Sequence, residues 1–351
     1  MSTDPLPSNS SHLPGSSATL ITRSRKRIPA GGKARLDIRE IGLGLGFALV
    51  DLDADGSASR KVVRAGIELP GVLRALLARD GGPVVTQYPL GAPFDRVVAR
   101  VGSRAKIALV HDLDSLRDGA GGAADAAMLA GYDAVIGHTP AMCAWLRERL
   151  GNTRVIELGM FDYLLATPTE PPPLAPSPAR LVVVGNLDPA KAAYLYSAGG
   201  LTVPVTAYGP KADPQLLPAG VAWGGMLDMH QPALDHRDAF GLVWDGRSPD
   251  ALDGDFGRYL RYNAPHKLSF YLAAGLPVLV PAGSGMAPFV TRHGVGVAVE
   301  SVAAAAEFAR TCSPDVWQQL GAATLRLRAD VLAGAHASGA LRAALAVGAG
   351  P

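Results

Sequence analysis

Residues 166–178 read Ala-Thr-Pro-Thr-Glu-Pro-Pro-Pro-Leu-Ala-Pro-Ser-Pro. Proline fixes φ and removes a backbone donor, so a run this dense forms neither a helix nor a central strand. It reads as a semi-rigid linker and divides the chain. On both sides, short apolar runs alternate with helix-like stretches. Before the linker, strands are expected at 18–23, 47–52, 84–86, 107–110, 134–136 and 155–158. One helix begins near Lys33. Another opens with Thr139 as N-cap and Pro140 at its first position, and stops near Gly151. After the linker, strands are expected at 180–184, 203–207, 240–244, 277–280 and 295–299, with a helix over 188–197 and helices from 300 to about 346. This alternation predicts an α/β protein of two Rossmann-like, doubly wound domains facing across a cleft. They span residues 17–165 and 179–346, after a disordered tail at 1–16.

The 351 residues suffice for two domains. A net charge of +2 is too close to neutral for a nucleic-acid binder. Two cysteines far apart in sequence argue against a disulfide framework and for a reducing compartment. No apolar run is long enough to span a membrane, and the polar N-terminus lacks a signal-peptide core, so a cytoplasmic protein is expected. Arg23, Arg25, Lys26 and Arg27 form one basic cluster. It reads as a solvated face, with contact to acidic lipid headgroups at the inner membrane surface left open. Self-association is left open as well.

In doubly wound sheets, ligands bind beyond the carboxyl ends of the strands. The chain holds several polar groups at such positions. In the second domain, Asn263 is expected to cap a helix that tolerates Pro265 in its first turn and stops at Gly275. Arg258, Arg261, His266 and Lys267 crowd the start of that helix, where the macrodipole is already positive. Each cation there costs roughly 0.3 kcal/mol or more unless an anion joins them. A phosphate held by the helix N-terminus and Lys267 resolves the conflict; side chains splayed into solvent are the alternative. Gly185 and Asn186 end one strand, where glycine lets a ligand approach the backbone. Tyr208 ends the next, either bordering a base or packing half-buried. Trp244 and Asp245 end a third: the indole is the more ordinary core residue, and the carboxylate either accepts from a sugar hydroxyl or caps a turn.

In the first domain, His111 and Asp112 follow a buried strand, with Asp114 and Arg117 close behind. They offer an acid/base pair for deprotonating a hydroxyl, or else a structural pair that pins the loop. Gln87-Tyr88-Pro89 ends the neighbouring strand on the acceptor side. Gly42-Leu-Gly-Leu-Gly46 lies between helix and strand, the reverse of a dinucleotide loop, and reads as a helix stop. Asp51-Leu-Asp-Ala-Asp55 reads as a surface turn. No metal signature appears, and no metal or other cofactor is expected.

These residues, taken in order, resemble a bacterial glycosyltransferase family that includes the streptococcal glucosyltransferase 3 and the β-1,6-galactofuranosyltransferases. The likeness is carried most specifically by Asn263-Ala-Pro-His-Lys-Leu-Ser-Phe-Tyr-Leu-Ala-Ala-Gly-Leu-Pro-Val. Gln87-Tyr88-Pro89, His111-Asp112, Gly185-Asn186, Tyr208-Gly209 and Leu242-Val-Trp244 fit around it. The resemblance implies a GT-B fold, a UDP-sugar donor on the second domain and no metal requirement. It also implies Lys267 at the diphosphate, with Asn263 and Tyr208 near the nucleotide. Many retaining GT-B enzymes carry two glutamates where this chain has Tyr262 and Phe270, which makes retaining chemistry less expected here.

The function expected is therefore transfer of a hexose (glucose, galactose or galactofuranose) from a UDP-sugar to a hydroxyl of a glycan, lipid-linked oligosaccharide or glycopeptide. A nucleotide-sugar epimerase and a non-catalytic sugar-binding or partner protein on the same scaffold are the alternatives.

Overall fold

The computed structural model describes residues 18–24, 32–53, 58–79, 81–231 and 234–348. The expected tail at 1–16 and the basic residues Arg25, Lys26 and Arg27 lie outside them. The first half runs β1 (Thr19–Ser24), α1 (Lys33–Gly44), β2 (Ala48–Asp53), α2 (Ala58–Leu77), β3 (Val84–Tyr88), α3 (Phe94–Arg100), β4 (Lys106–Val110), α4 (Asp114–Arg117), α5 (Ala123–Leu129), β5 (Ala134–Gly137), α6 (Pro140–Leu150) and β6 (Arg154–Glu157). The second half runs β7 (Arg180–Val184), α7 (Ala193–Ser197), β8 (Val205–Tyr208), β9 (Val221–Gly225), β10 (Ala239–Leu242), α8 (Gly254–Tyr259), α9 (His266–Ala273), β11 (Val278–Pro281), α10 (Ala287–His293), β12 (Gly296–Val299), α11 (Val302–Thr311), α12 (Pro314–Leu332) and α13 (Ala335–Gly348).

Each half builds one six-stranded sheet, and every strand pairing among the described residues is parallel. The first sheet has the order β2-β1-β3-β4-β5-β6, the second β12-β11-β10-β7-β8-β9. The strand order therefore reverses between β1 and β3 in the first sheet and between β7 and β10 in the second. Such switch points open a crevice at the carboxyl ends of the strands. The central strands are buried on both faces, as helices on either side require: β3, β4, β5, β10 and β11 are buried at every position.

The turns follow local chemistry. Thr139 caps α6 by accepting from the Met142 N–H, with Pro140 at the first position. Gly46, with φ +81°, follows the end of α1 and turns the chain into β2. Gly275, with φ +72°, closes α9: its N–H reaches the Leu272 carbonyl, and that of Leu276 reaches Tyr271. Asp51 and Asp53 lie in β2 rather than in a surface turn, and Asp55 falls outside the described residues.

Alternation alone puts the end of the second domain at residue 346, but packing assigns α13 to the first. The chain crosses back after α12, and α13 lies against β5, β6 and α1. Asp162 holds its start, accepting from the His336 and Ala337 N–H groups and from His336 Nδ1. The linker does not swing free either. Trp317 of α12 donates to the Ala175 carbonyl, and Arg328 donates to that of Thr169. Leu158, Met160, Phe161 and Tyr163 join side chains of both sheets in one continuous apolar cluster, so the cleft between the domains has a closed floor.

Candidate active site

Above that floor lies a cavity of about 540 Å³, walled on one side by the first domain and on the other by the second. A larger, shallower groove of about 680 Å³ lies elsewhere on the domain seam. It is lined by Arg261, Ser284 and Arg292 and has no carboxylate or imidazole. The cavity between the switch points is where the chemistry gathers.

The first-domain wall is built from the ends of β3 and β4. His111 Nε2 lies 2.7 Å from Gln87 Oε1. The Gln87 amide nitrogen donates to Thr22 Oγ1 and to the Arg35 carbonyl, so its oxygen is the acceptor. The His111 proton therefore sits on Nε2, and Nδ1 keeps its lone pair. Burial holds this imidazole well below its ordinary pKa, with the Arg35 charge pushing the same way. It stacks on Phe161 with ring centroids 5.1 Å apart. Asp112, one residue on, keeps 46% of its side chain exposed and lines the cavity. Enclosure in the cleft raises its pKa, while Arg117, whose guanidinium lies 3.5 Å away, lowers it. Arg35 of α1 donates to the Gln87 and Pro89 carbonyls, and burial lowers it to about 10.

The second-domain wall resolves the electrostatic conflict of α9 in an unexpected way. Pro265, not Asn263, is the N-cap residue, and no side chain caps the helix. Asn263 sits two residues earlier, lines the cavity, and has a buried Oδ1 without a hydrogen-bond partner among the described residues. His266 is not a cation: burial, with the Lys33 charge adding to it, lowers it to about 3. Its ring stacks on Tyr163 at 4.9 Å. Arg258 turns outward to Asp255, and Arg261 faces the seam groove. Of the four cations, only Lys267 reaches the cavity as one. Its Nζ donates to the Trp244 carbonyl at 2.8 Å and to Asp245 Oδ1 at 2.9 Å. Burial lowers this lysine, and Asp245 pulls it back up.

His111, Asp112, Arg117, Gly185, Asn186, Asp245, Asn263, His266 and Lys267, all singled out in the sequence, thus share one cavity. Gln87, Tyr88 and Pro89 do not line it, and Tyr208 and Trp244 do not bring their side chains to it. Tyr208 turns its phenol to His236 Nε2 at 2.9 Å, and only its carbonyl serves the site, by accepting from the Gly185 N–H. Trp244 is 1% exposed and donates its indole N–H to the Ser248 carbonyl. Glycine is obligatory at the end of β8: Gly209 has φ +141°, and a Cβ there would lie 1.8 Å from the Gly185 carbonyl oxygen.

Lys191 is the functional candidate that pattern reading misses. It lines the cavity and forms no ion pair among the described residues, and its ammonium lies 5.1 Å above the Phe256 ring. A helix placed over 188–197 hides it in mid-helix. The chain instead turns at Asp188, whose Oδ1 accepts from the Ala190 N–H and whose carbonyl accepts from the Lys191 N–H, and α7 begins only at Ala193. Asx-turn formation was the available signal.

Three polar links tie the walls together. His138 lies within hydrogen-bonding distance of the Val110 carbonyl through Nε2 and accepts from the Ala264 N–H through Nδ1. Thr139 Oγ1 donates to the Tyr262 carbonyl, and the Tyr259 hydroxyl accepts from the Leu113 N–H. Among the described residues no group of three or more His, Cys, Asp or Glu could hold a metal ion. No helix among the described residues is long and apolar enough to cross a membrane.

Two Rossmann-like domains with a cavity across their switch points define the GT-B fold. Sucrose-phosphate synthase from Thermosynechococcus elongatus superposes with a TM-score of 0.60 at 15% identity, over 93% of this chain and 98% of that one. Anabaena Alr3699/HepE, solved in complex with UDP and glucose, superposes at 0.57 and 12% identity, over 93% and 99%. In sequence, the β-1,6-galactofuranosyltransferase WbbI of Escherichia coli (strain K12) is 27% identical over 317 residues, 88% of this chain and 92% of that protein. The model of the glucosyltransferase 3-like N-terminal domain matches residues 19–160, and that of the C-terminal domain matches 181–344. The chain belongs to the glucosyltransferase 3-like family. It is a glycosyltransferase, and a hexosyltransferase in class.

Proposed function

We propose that the protein transfers a hexose from a UDP-sugar to a hydroxyl of a glycan, glycolipid or glycopeptide, without a metal ion. The observation that carries this reading is the cavity itself. It sets cationic side chains and a helix N-terminus on the second-domain wall opposite an open carboxylate on the first.

The donor diphosphate docks at the start of α9, against Lys267 and Lys191. The two lysines and the first-turn N–H groups stabilise the charge that develops on UDP as it leaves. Asn263, with its unpartnered oxygen, and the Gly185-Asn186 turn receive the nucleotide side. Asp112 takes the proton of the acceptor hydroxyl. That oxygen bonds to the anomeric carbon as the bond from that carbon to the UDP oxygen breaks. Asp112 is favoured over His111 as base because its carboxylate opens into the cleft, whereas the His111 nitrogen that retains a lone pair is only weakly basic. His111, fixed on Gln87, orients the loop. The likeness to a β-1,6-galactofuranosyltransferase over most of both chains favours galactofuranose as the sugar.

A screen of UDP release across nucleotide sugars and acceptor glycans, with and without a chelator, tests the reading. Turnover with a UDP-hexose that survives chelation is expected. Turnover only with a divalent ion, or conversion of a UDP-sugar to its epimer with no acceptor present, contradicts it.

A further inference from the structure

Two carboxylates line the cavity, Asp112 on the first-domain wall and Asp245 on the second. Helix α9, His266–Ala273, contributes none. Asp245 is nearly enclosed, its side chain 10% exposed and its partner Lys267 11%. A buried ion pair adds little net stability against an apolar alternative. Its position on a cavity wall therefore points to use rather than support.

The two oxygens of Asp245 differ. Oδ1 accepts from Lys267 at 2.9 Å. Oδ2 has no hydrogen-bond partner among the described residues, and it is not among the polar atoms sealed from solvent. It therefore opens into the cavity. A carboxylate oxygen only accepts. With Lys267 bonded to the same carboxylate, a second cation would be repelled, so a neutral hydroxyl is the fitting donor. The turn that presents the carboxylate is stiff. The Gly246 N–H donates to the Lys191 carbonyl, and the Gly246 carbonyl accepts from the Tyr194 N–H. Gly246 has φ +116°, and a Cβ there would lie 2.6 Å from the Asp253 carbonyl oxygen.

We propose that Asp245 recognises the transferred hexose, Oδ2 accepting from one of its hydroxyls while Oδ1 stays on Lys267. The proposal rests on the donor reading above: a sugar esterified to a phosphate at Lys267 brings its hydroxyls beside Asp245. It makes Asp245 a specificity residue of the second domain and separates that role from the Asp112 base.

Calorimetric titration of the full chain with UDP, UDP-glucose, UDP-galactose and UDP-galactofuranose tests it, in wild type and in Asp245→Asn and Asp245→Ala. The affinity for the preferred UDP-sugar should fall roughly 10- to 100-fold, as for loss of a hydrogen bond to a charged group. Affinity for UDP alone, which Asp245 touches only through Lys267, should fall clearly less than that for the UDP-sugar. The monodeoxy donor that lacks the bonded hydroxyl should bind wild type and variants alike. Parallel losses for UDP and UDP-sugar would reduce Asp245 to a support for Lys267 and overturn the proposal, as would no loss at all. Should neither variant fold, monodeoxy donors on wild type decide: if every analogue binds as well as its parent, the proposal fails. A wild-type protein that binds neither UDP nor any UDP-sugar refutes the donor reading instead.

Discussion

Asp112 and Lys267 show how differently two charged side chains fare in one cavity. Asp112 keeps an open face to the cleft, and enclosure raises its pKa above the ordinary 3.8. A general base must be ionised, so activity should fall with acidification through that raised value. The acid limb of kcat/KM is expected to be displaced upward from that of an ordinary aspartate. Asp112→Asn should leave UDP affinity unchanged and lower kcat by about 100-fold or more. Transfer at the wild-type rate would remove Asp112 from the mechanism. The residues of the cavity were legible from sequence where a side chain directly follows a strand, as at His111, Asp112, Gly185 and Asn186. Tyr208 and Trp244 satisfy the same rule, yet their side chains turn away to His236 and to the Ser248 carbonyl. A strand end fixes where Cα sits; the direction of the side chain is set by neighbours distant in sequence.

Helix α9 carries the same lesson at the next scale. Its stop at Gly275 was legible because the left-handed turn needs glycine, while its start was not. Pro265 holds φ −69° and ψ 131°, so the helix begins after the proline and leaves Asn263 free to face the cavity. The apparent excess of cations at the start then largely disappears, through a neutral His266 and outward-turned arginines. The other end is held by residues no local pattern reveals. Arg328 donates to the Ala273 carbonyl, and Arg237 donates to those of Ala274 and Gly275. Both guanidinium groups complement the negative end of the helix. Arg328→Ala also frees the Thr169 carbonyl in the linker. It should lower stability by about 2 kcal/mol, a fall of several degrees in melting temperature. An unchanged melting temperature would show that water satisfies these carbonyls equally well.

Across the whole molecule, the alternation around a proline-rich linker was enough to read two doubly wound sheets, and both sheets formed. What alternation cannot show is that α13 returns to the first sheet, because an amphipathic helix fits either domain equally well by pattern. The seam between the domains rests on neutral imidazoles. Burial lowers His138 to about 4 and His266 to about 3, and it depresses His111 as well. Each binds its proton more readily when unfolded, where the ordinary value is 6.5, so each stabilises the fold above that pH and loses this contribution as pH falls toward the folded value. Asp37 acts oppositely: burial raises it to about 6, so its contribution falls as pH rises from 3.8 to 6. Burial raises Asp95 and Asp112 as well, in the same sense as Asp37, but the three imidazoles outweigh these carboxyls, and the melting temperature should drop between pH 7 and pH 5. A flat profile would mean that these rings are hydrated.

The proposed seat of the UDP-sugar is the cavity between the domains, with Lys267 at the diphosphate. Calorimetric titration of UDP into wild type and Lys267→Ala tests this most directly. Wild type should bind one UDP per chain, and Lys267→Ala, with its fold checked by circular dichroism, should bind it at least about tenfold more weakly. Equal affinity in the two proteins would contradict the account.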